Sequence, residues 1–184
     1  MKRIALVLAL AGSGVLATSV APSPAHARET YEAKMEASEA ASQAAFDMFE
    51  AFGFKRLKPG QYLWRDVPES NGPERVVISL TDQLVFLYRG NSLMAVATIS
   101  TGRFDKPSPT GIFSILDKRP FYRSKKYDNA PMPWMQRIDE YGIALHGGYN
   151  PGYPASHGCI RLPGAFAKKL YSITDVGTPV YIGV

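Results

Sequence analysis

The chain has 184 residues, 46% of them hydrophobic and 20% charged, with a formal net charge of +5 at neutral pH. That length suits one domain with a single core and an appended segment, and is cramped for two independent domains. The mild basicity is ordinary surface charge compatible with an anionic cell envelope, no nucleic-acid-binding motif accompanies it, and a single cysteine excludes an intramolecular disulfide.

Met1-Lys2-Arg3, the apolar run Ile4 to Leu16 and the small-x-small site Ala25-His26-Ala27 form a secretory signal-peptide pattern, with cleavage expected after Ala27. Gly12, Ser13 and Gly14 interrupt the run, which falls short of the roughly 20 apolar residues of a spanning helix, so no transmembrane anchor is expected after cleavage. Loss of Lys2 and Arg3 takes the basic count from 21 to 19 against 16 acidic residues, leaving a formal charge of +3. An exported, soluble mature protein of the periplasm or cell envelope is the expectation.

Glu29 to Phe52 is alanine-rich and free of Gly and Pro, and is predicted as a helix stopped by Gly53, with Phe46, Phe49 and Phe52 as its packing stripe. Segments 55–60 and 69–73 read as a linker turn and a second turn. Three β-rich runs follow, Arg75 to Leu80, Gln83 to Arg89 and Ser92 to Thr101, separated by Thr81-Asp82 and Gly90-Asn91, which is an antiparallel meander. Gly102 to Gly111 is a loop, Ile112 to Leu116 a strand, and Lys118 to Tyr141 a long irregular excursion of the kind that is often functional. Strands at Gly142 to His146 and Thr178 to Ile182 complete the β content. Between them Leu162-Pro163-Gly164 opens a helix with Ala165, Phe166, Leu170 and Ile173 on its apolar face.

The chemistry gathers in Ser156-His157-Gly158-Cys159-Ile160-Arg161, preceded by His146-Gly147-Gly148, which together hold the sole cysteine and both histidines outside the N-terminal tail. A thiol attacks only as thiolate, and an imidazole with a pKa of about 6.5 suits the removal of its proton near neutral pH. Buried structural cysteines have apolar neighbours, whereas Ser-His-Gly places polar groups and bare backbone beside this one. His146, His157 and Cys159 could in principle supply three zinc ligands. No helical H-x-x-x-H pairing supports that, so no metal and no cofactor are expected.

Over about its last 110 residues the chain resembles the L,D-transpeptidases with a YkuD-type catalytic domain, enzymes that remodel bacterial peptidoglycan. The likeness rests on three blocks in the family's order: Arg75 to Arg89; Ser100-Thr101-Gly102 with Pro107-Ser108-Pro109-Thr110-Gly111; and His146-Gly147 leading to Ser156-His157-Gly158-Cys159-Ile160-Arg161. It implies that Cys159 is the acyl-accepting nucleophile, His146 its base and Gly147 the carbonyl that orients the ring. His157, Gly158 and Cys159 would present backbone amides to the oxyanion. Ser156, Arg161, Tyr149, Tyr153, Trp134 and Met135 are candidate substrate contacts, although Ser156 is equally suited to stabilising the turn and Arg161 to bracing the loop. The implied partners are peptidoglycan stem peptides, and carbapenem-type inhibitors that would acylate Cys159. Transfer to an amine or to water, as in an L,D-carboxypeptidase or a hydrolase, requires the same residues, and an idle envelope-binding module is the reading from another class. In two respects the chain departs from many relatives: only nine residues separate His146 from Ser156, and Arg161 stands where many have Asn.

The predicted division is a signal peptide at 1–27, an N-terminal helix and linker at 28–72, and the catalytic domain at 73–184. The expected fold is mainly β, an L,D-transpeptidase-like sandwich or partly closed barrel with a flanking C-terminal helix and an N-terminal helical extension.

Overall fold

The computed structural model describes residues 27–53 and 56–184. The signal-peptide pattern, Ala27 excepted, lies outside the described residues. Helix α1 spans Tyr31–Phe52. It begins at Thr30, whose side chain accepts a hydrogen bond from the Ala33 amide, and ends at Gly53, where φ is +69° and the amide reaches back to the Phe49 carbonyl. A hydroxyl N-cap and a left-handed glycine C-cap are the two ends that satisfy otherwise unpaired helix groups most readily.

Ten strands follow in two sheets. The larger has the order β1 (Tyr62–Trp64), β4 (Ser92–Thr98), β3 (Leu84–Arg89), β2 (Glu74–Ser79), β10 (Pro179–Gly183), β5 (Gly111–Ser114). The smaller has the order β6 (Asp117–Arg119), β7 (Met135–Arg137), β8 (Ala144–Gly147), β9 (Ile160–Leu162). The meander β2-β3-β4 is antiparallel as expected, and the C-terminal strand β10 inserts between β2, to which it runs parallel, and β5. Helix α2 (Gly164–Ile173) returns the chain from the small sheet to the large one.

Strand alternation sorts the core into two layers. Val76, Ile78, Val85, Leu87 and Ala97 of the large sheet face Leu145, Ile160, Leu162, Phe166 and Leu170 of the small sheet and α2. Their neighbours Val77, Phe86, Tyr88 and Val96 point the other way, onto Ala41, Ala44 and Met48 of α1. Both faces of the meander are therefore covered, which is why its strands read as continuous apolar runs rather than an alternation. The result is a mainly β, two-sheet architecture with a helix against each layer and no closed barrel.

Three expectations need correction. The packing face of α1 is not the phenylalanine stripe as a whole: Phe52 is half-buried and packs on the core, but Phe46 is 69% exposed and Phe49 50% exposed, whereas Ala33, Ala37, Ala41, Ala44 and Met48 are buried. Small side chains let the helix approach the sheet so closely that a Cβ on Gly183 would come within 2.4 Å of the Ala37 carbonyl oxygen. Segment 118–141 is not irregular throughout, because its ends pair as β6 and β7. Strand β1, absent from the sequence reading, pairs antiparallel with β4 from within the segment expected to be helix and linker.

The close helix–sheet contact makes a measurable prediction. Ala44→Leu should overpack the layer and cost about 1–3 kcal/mol in chemical denaturation. Phe46→Ala on the opposite face should stay within about 0.5 kcal/mol of the parent. The reverse order would restore the phenylalanine stripe.

Candidate active site

A cavity of about 950 Å³ opens between the small sheet and the segment 122–133. Its lining includes His146, Tyr149, Ser156, His157, Cys159 and Arg161. Strands β8 and β9 bring these residues together by running parallel, with Leu145 beside Ile160, His146 beside Arg161 and Gly147 beside Leu162. Continued back one residue, this register sets Cys159 opposite Ala144, so His146 and Cys159 lie two register steps apart on adjacent chain segments.

His146 is 7% exposed, and its Nδ1 lies 2.9 Å from the Gly147 carbonyl oxygen. A carbonyl can only accept, so Nδ1 carries the proton and Nε2 keeps its lone pair. Burial holds the imidazole below its ordinary pKa of 6.5, against the opposing Gly147 hydrogen bond and helped by the charge of Arg161. The ring is therefore neutral and basic at neutral pH.

The Cys159 thiol is partly buried against Met132, Met135, Ala144 and Tyr122. Its apolar side was invisible in the polar Ser-His-Gly context. Burial pushes its pKa up, and Asp139 adds to this, while a backbone hydrogen bond from Ala144 and the charge of Arg161 pull it down. Sγ lies 3.8 Å from the Gly142 carbonyl, toward which a protonated thiol donates. The resting pair is thus neutral thiol and neutral imidazole.

The turn that carries Cys159 is held by two serines. Ser156 Oγ donates to the Cys159 carbonyl at 2.5 Å and accepts from the Gly158 amide at 3.1 Å. Ser108 Oγ donates to the Gly158 carbonyl at 2.7 Å and accepts from the Gly102 amide at 2.9 Å. Ser100 pairs through its backbone with Arg161, and Thr101 accepts from the amides of Ala155 and Ser156. The Ser100-Thr101-Gly102 and Pro107-to-Gly111 blocks are therefore scaffolding for the turn, a role the sequence marked by composition but did not explain. Gly158 has φ +113°, a backbone conformation that residues with a Cβ rarely adopt, so glycine is strongly favoured at this point of the turn. Its amide is taken by Ser156. Those of His157 and Cys159 carry no protein hydrogen bond among the described residues.

The remaining predicted contacts separate. Arg161 lines the cavity, and its guanidinium has no hydrogen bond or ion pair among the described residues. Tyr149 is 79% exposed on the rim. Trp134, Met135 and Tyr153 are not part of the lining. Trp134 packs between Phe121 and Tyr171, with Lys168 over its ring. Met135, on β7, is buried beneath Cys159, because strand alternation turns it into the layer. Tyr153 is 61% exposed, and its carbonyl is drawn to Ser100 Oγ, in a loop folded toward β4 and Pro59. The wall that the sequence assigned to Trp134 and Met135 is supplied instead by Tyr122, Tyr127, Met132 and Pro133. Their only sequence signal was membership of the long excursion. Among the described residues no three His, Cys, Asp or Glu side chains gather as a metal cage.

One cavity of this two-sheet β protein is thus lined by both the thiol and a buried, carbonyl-oriented imidazole. The chain belongs to the family of YkuD L,D-transpeptidase catalytic domains, whose model matches residues 73–182. It is similar to a Bacillus licheniformis protein named for the L,D-transpeptidase YkuD, with 31% identity over 117 residues, 60% of this chain and 66% of that relative. An L,D-transpeptidase of Stackebrandtia nassauensis superposes with a TM-score of 0.56 at 25% identity, covering 65% of this chain and 58% of that one. Mycobacterium tuberculosis L,D-transpeptidase 3, solved in complex with a faropenem-derived adduct, superposes with a TM-score of 0.55 at 20% identity, covering 61% and 60%. The chain spans less than two thirds of the length of each of these relatives. No helix among the described residues is long and apolar enough to cross a membrane.

Proposed function

We propose that this chain is an exported cysteine L,D-transpeptidase of the cell envelope that remodels peptidoglycan. The observation that carries the reading is that one cavity is lined by both Cys159 and a neutral His146 whose Nδ1 is committed to Gly147. As His146 Nε2 takes the thiol proton, Cys159 Sγ attacks the carbonyl of the third residue of a donor stem, forming a C–S bond. The oxyanion is received by the amides of His157 and Cys159. The peptide C–N bond then breaks, and the terminal D-alanine leaves with the proton that His146 returns. An amine of a second stem attacks the thioester, the C–S bond breaks, and a crosslink between third residues results. Peptide-bond energy is conserved in the thioester, so no nucleotide is consumed.

Supporting this assignment, the cavity rim is cationic, with Lys125, Lys126 and Arg161 facing the single carboxylate of Asp128. That complements a stem peptide rich in carboxylates. Arg161, lacking an internal partner, is assigned to a stem carboxylate rather than to bracing the loop. A charge-assisted hydrogen bond of this kind contributes about 1.5–3 kcal/mol. Arg161→Gln should therefore raise KM for a donor stem by about 10- to 100-fold, measured at matched folding. An unchanged KM would return Arg161 to a bracing role.

The deciding experiment is mass spectrometry of muropeptides after incubation with the mature protein. Crosslinked dimer is expected. Tripeptide alone would make the enzyme an L,D-carboxypeptidase, and no change in the muropeptides would leave a binding module. Within this reading, residues 73–184 carry the catalysis, and 28–72 complete the sheet and cover its outer face.

A further inference from the structure

Segment 120–134 forms one wall of the cavity: Tyr122 and Met132 at its base pack with Cys159, and a ring contact at its tip ties it to the turn that carries Cys159. The Tyr127 ring stacks on the His157 ring with centroids 4.4 Å apart and planes 11° from parallel. The tip is internally built: the Tyr127 carbonyl accepts from Ala130, Ser124 Oγ accepts from the amides of Lys126 and Tyr127, and Arg123 bridges to Pro131. It therefore presents Tyr127 as a fixed group. From the other side, Arg103 Nη1 lies 3.0 Å from His157 Nε2, while Arg103 also pairs with Asp105. A guanidinium can only donate, so Nε2 is the unprotonated nitrogen and the ring is uncharged.

We propose that Tyr127 is a positioning residue of the acyl-transfer site, its stack on an uncharged His157 pinning segment 120–134 against the turn that carries Cys159. The inference rests on the acyl-transfer reading of this cavity. The groups that face the stack come from three elements: Arg103, Asp105 and Lys106 from the loop before β5, Lys126 beside Tyr127 on the wall, and Arg161 from β9. All but Asp105 are cations, and Asp105 is already paired with Arg103. Protonating Nε2 turns the acceptor of the Arg103 contact into a second donor and adds a charge to this cluster. An imidazolium would gain a cation–π attraction to Tyr127. Lys106 and Lys126 already lie over that ring, at 5.3 and 5.8 Å, and the donor–donor clash with Arg103 has no relief other than movement. Burial, followed by Arg103 and Lys106, holds His157 below its ordinary pKa, so the stack is intact at neutral pH and opens only in acid.

The test is amide hydrogen exchange across residues 122–130, corrected for intrinsic rates, at about pH 7.5 and about pH 5, with the His157 ring titrated by NMR. Tyr127→Ala should raise exchange about tenfold at the higher pH, and Tyr127→Phe, which keeps the ring, should rescue it. In the wild type the same rise should follow the His157 titration. Tyr127→Ala should also raise the carbapenem concentration for half-maximal acylation of Cys159 about tenfold, again rescued by Phe, while the limiting rate falls less. Unchanged exchange in Tyr127→Ala, wild-type exchange that ignores the His157 titration, or acylation insensitive to Tyr127→Ala would each overturn the proposal. A wild type that exchanges as expected but never acylates would instead count against the acyl-transfer reading, because the exchange measurement does not depend on it.

Discussion

Cys159→Ala is expected to abolish transfer from a donor stem, by a factor on the order of 10⁴ or more, and to remove the single mass adduct that a carbapenem leaves on the wild type. The chain has one thiol, so no other side chain can form the thioester. The loss should be chemical rather than structural. Cys159 touches the Met132, Met135 and Ala144 cluster from its edge, and trimming one atom there should cost no more than about 1 kcal/mol of stability. An adduct that persists in the alanine variant would remove Cys159 from the centre of the mechanism.

His146→Ala should cost about 10²- to 10⁴-fold in acylation rate, the range that a positioned general base supplies. The pH profile sharpens this prediction. Because burial depresses the His146 pKa, the rate in the wild type should rise with pH through a value below 6.5 and be fully developed by neutrality. Because burial raises the Cys159 pKa, free thiolate should not take over until above the ordinary 9.0. His146→Ala should erase the acidic limb and leave a rate that climbs only as the thiol itself ionises. Retention of the acidic limb in the variant would assign that titration to another group.

The same two groups act on stability. Unfolded His146 binds protons more readily than folded His146, so its contribution is complete above pH 6.5 and is lost as pH falls toward the folded value. Cys159 works in the opposite direction. Its contribution is complete below 9.0 and is lost as pH rises through the folded value. Both place the most stable pH range around neutrality.

Much of this was local, and therefore legible in the sequence. The C-terminal end of α1 follows from Gly53, whose effect on a helix terminus needs no distant partner, while its start, expected at Glu29, lies at Tyr31 behind the Thr30 cap. The β2-β3-β4 meander follows from apolar runs broken by short turns. The Cys159 candidate followed from its being the sole cysteine, in a polar, glycine-containing context, whereas the choice of His146 over His157 as its base came from the family resemblance.

What the tertiary structure decided was direction and environment. Alanine and phenylalanine both fit a helix, so only the proximity of β10 to α1 selected alanine for the buried face and left Phe46 outside. A three-residue strand such as β1 has too little periodicity to register until β4 offers it an edge. Trp134 and Met135 fell away from the cavity, and Tyr127 came onto His157, because the positions of residues on a non-repeating segment depend on contacts many residues apart. The charge states of the reacting groups lie in the same category. A pKa is shifted by burial and by neighbours in space, and here Ala144 and Asp139 come to Cys159 only through the packing of β8 against β9 and the turn before β8, and Met132 only through the fold of segment 120–134.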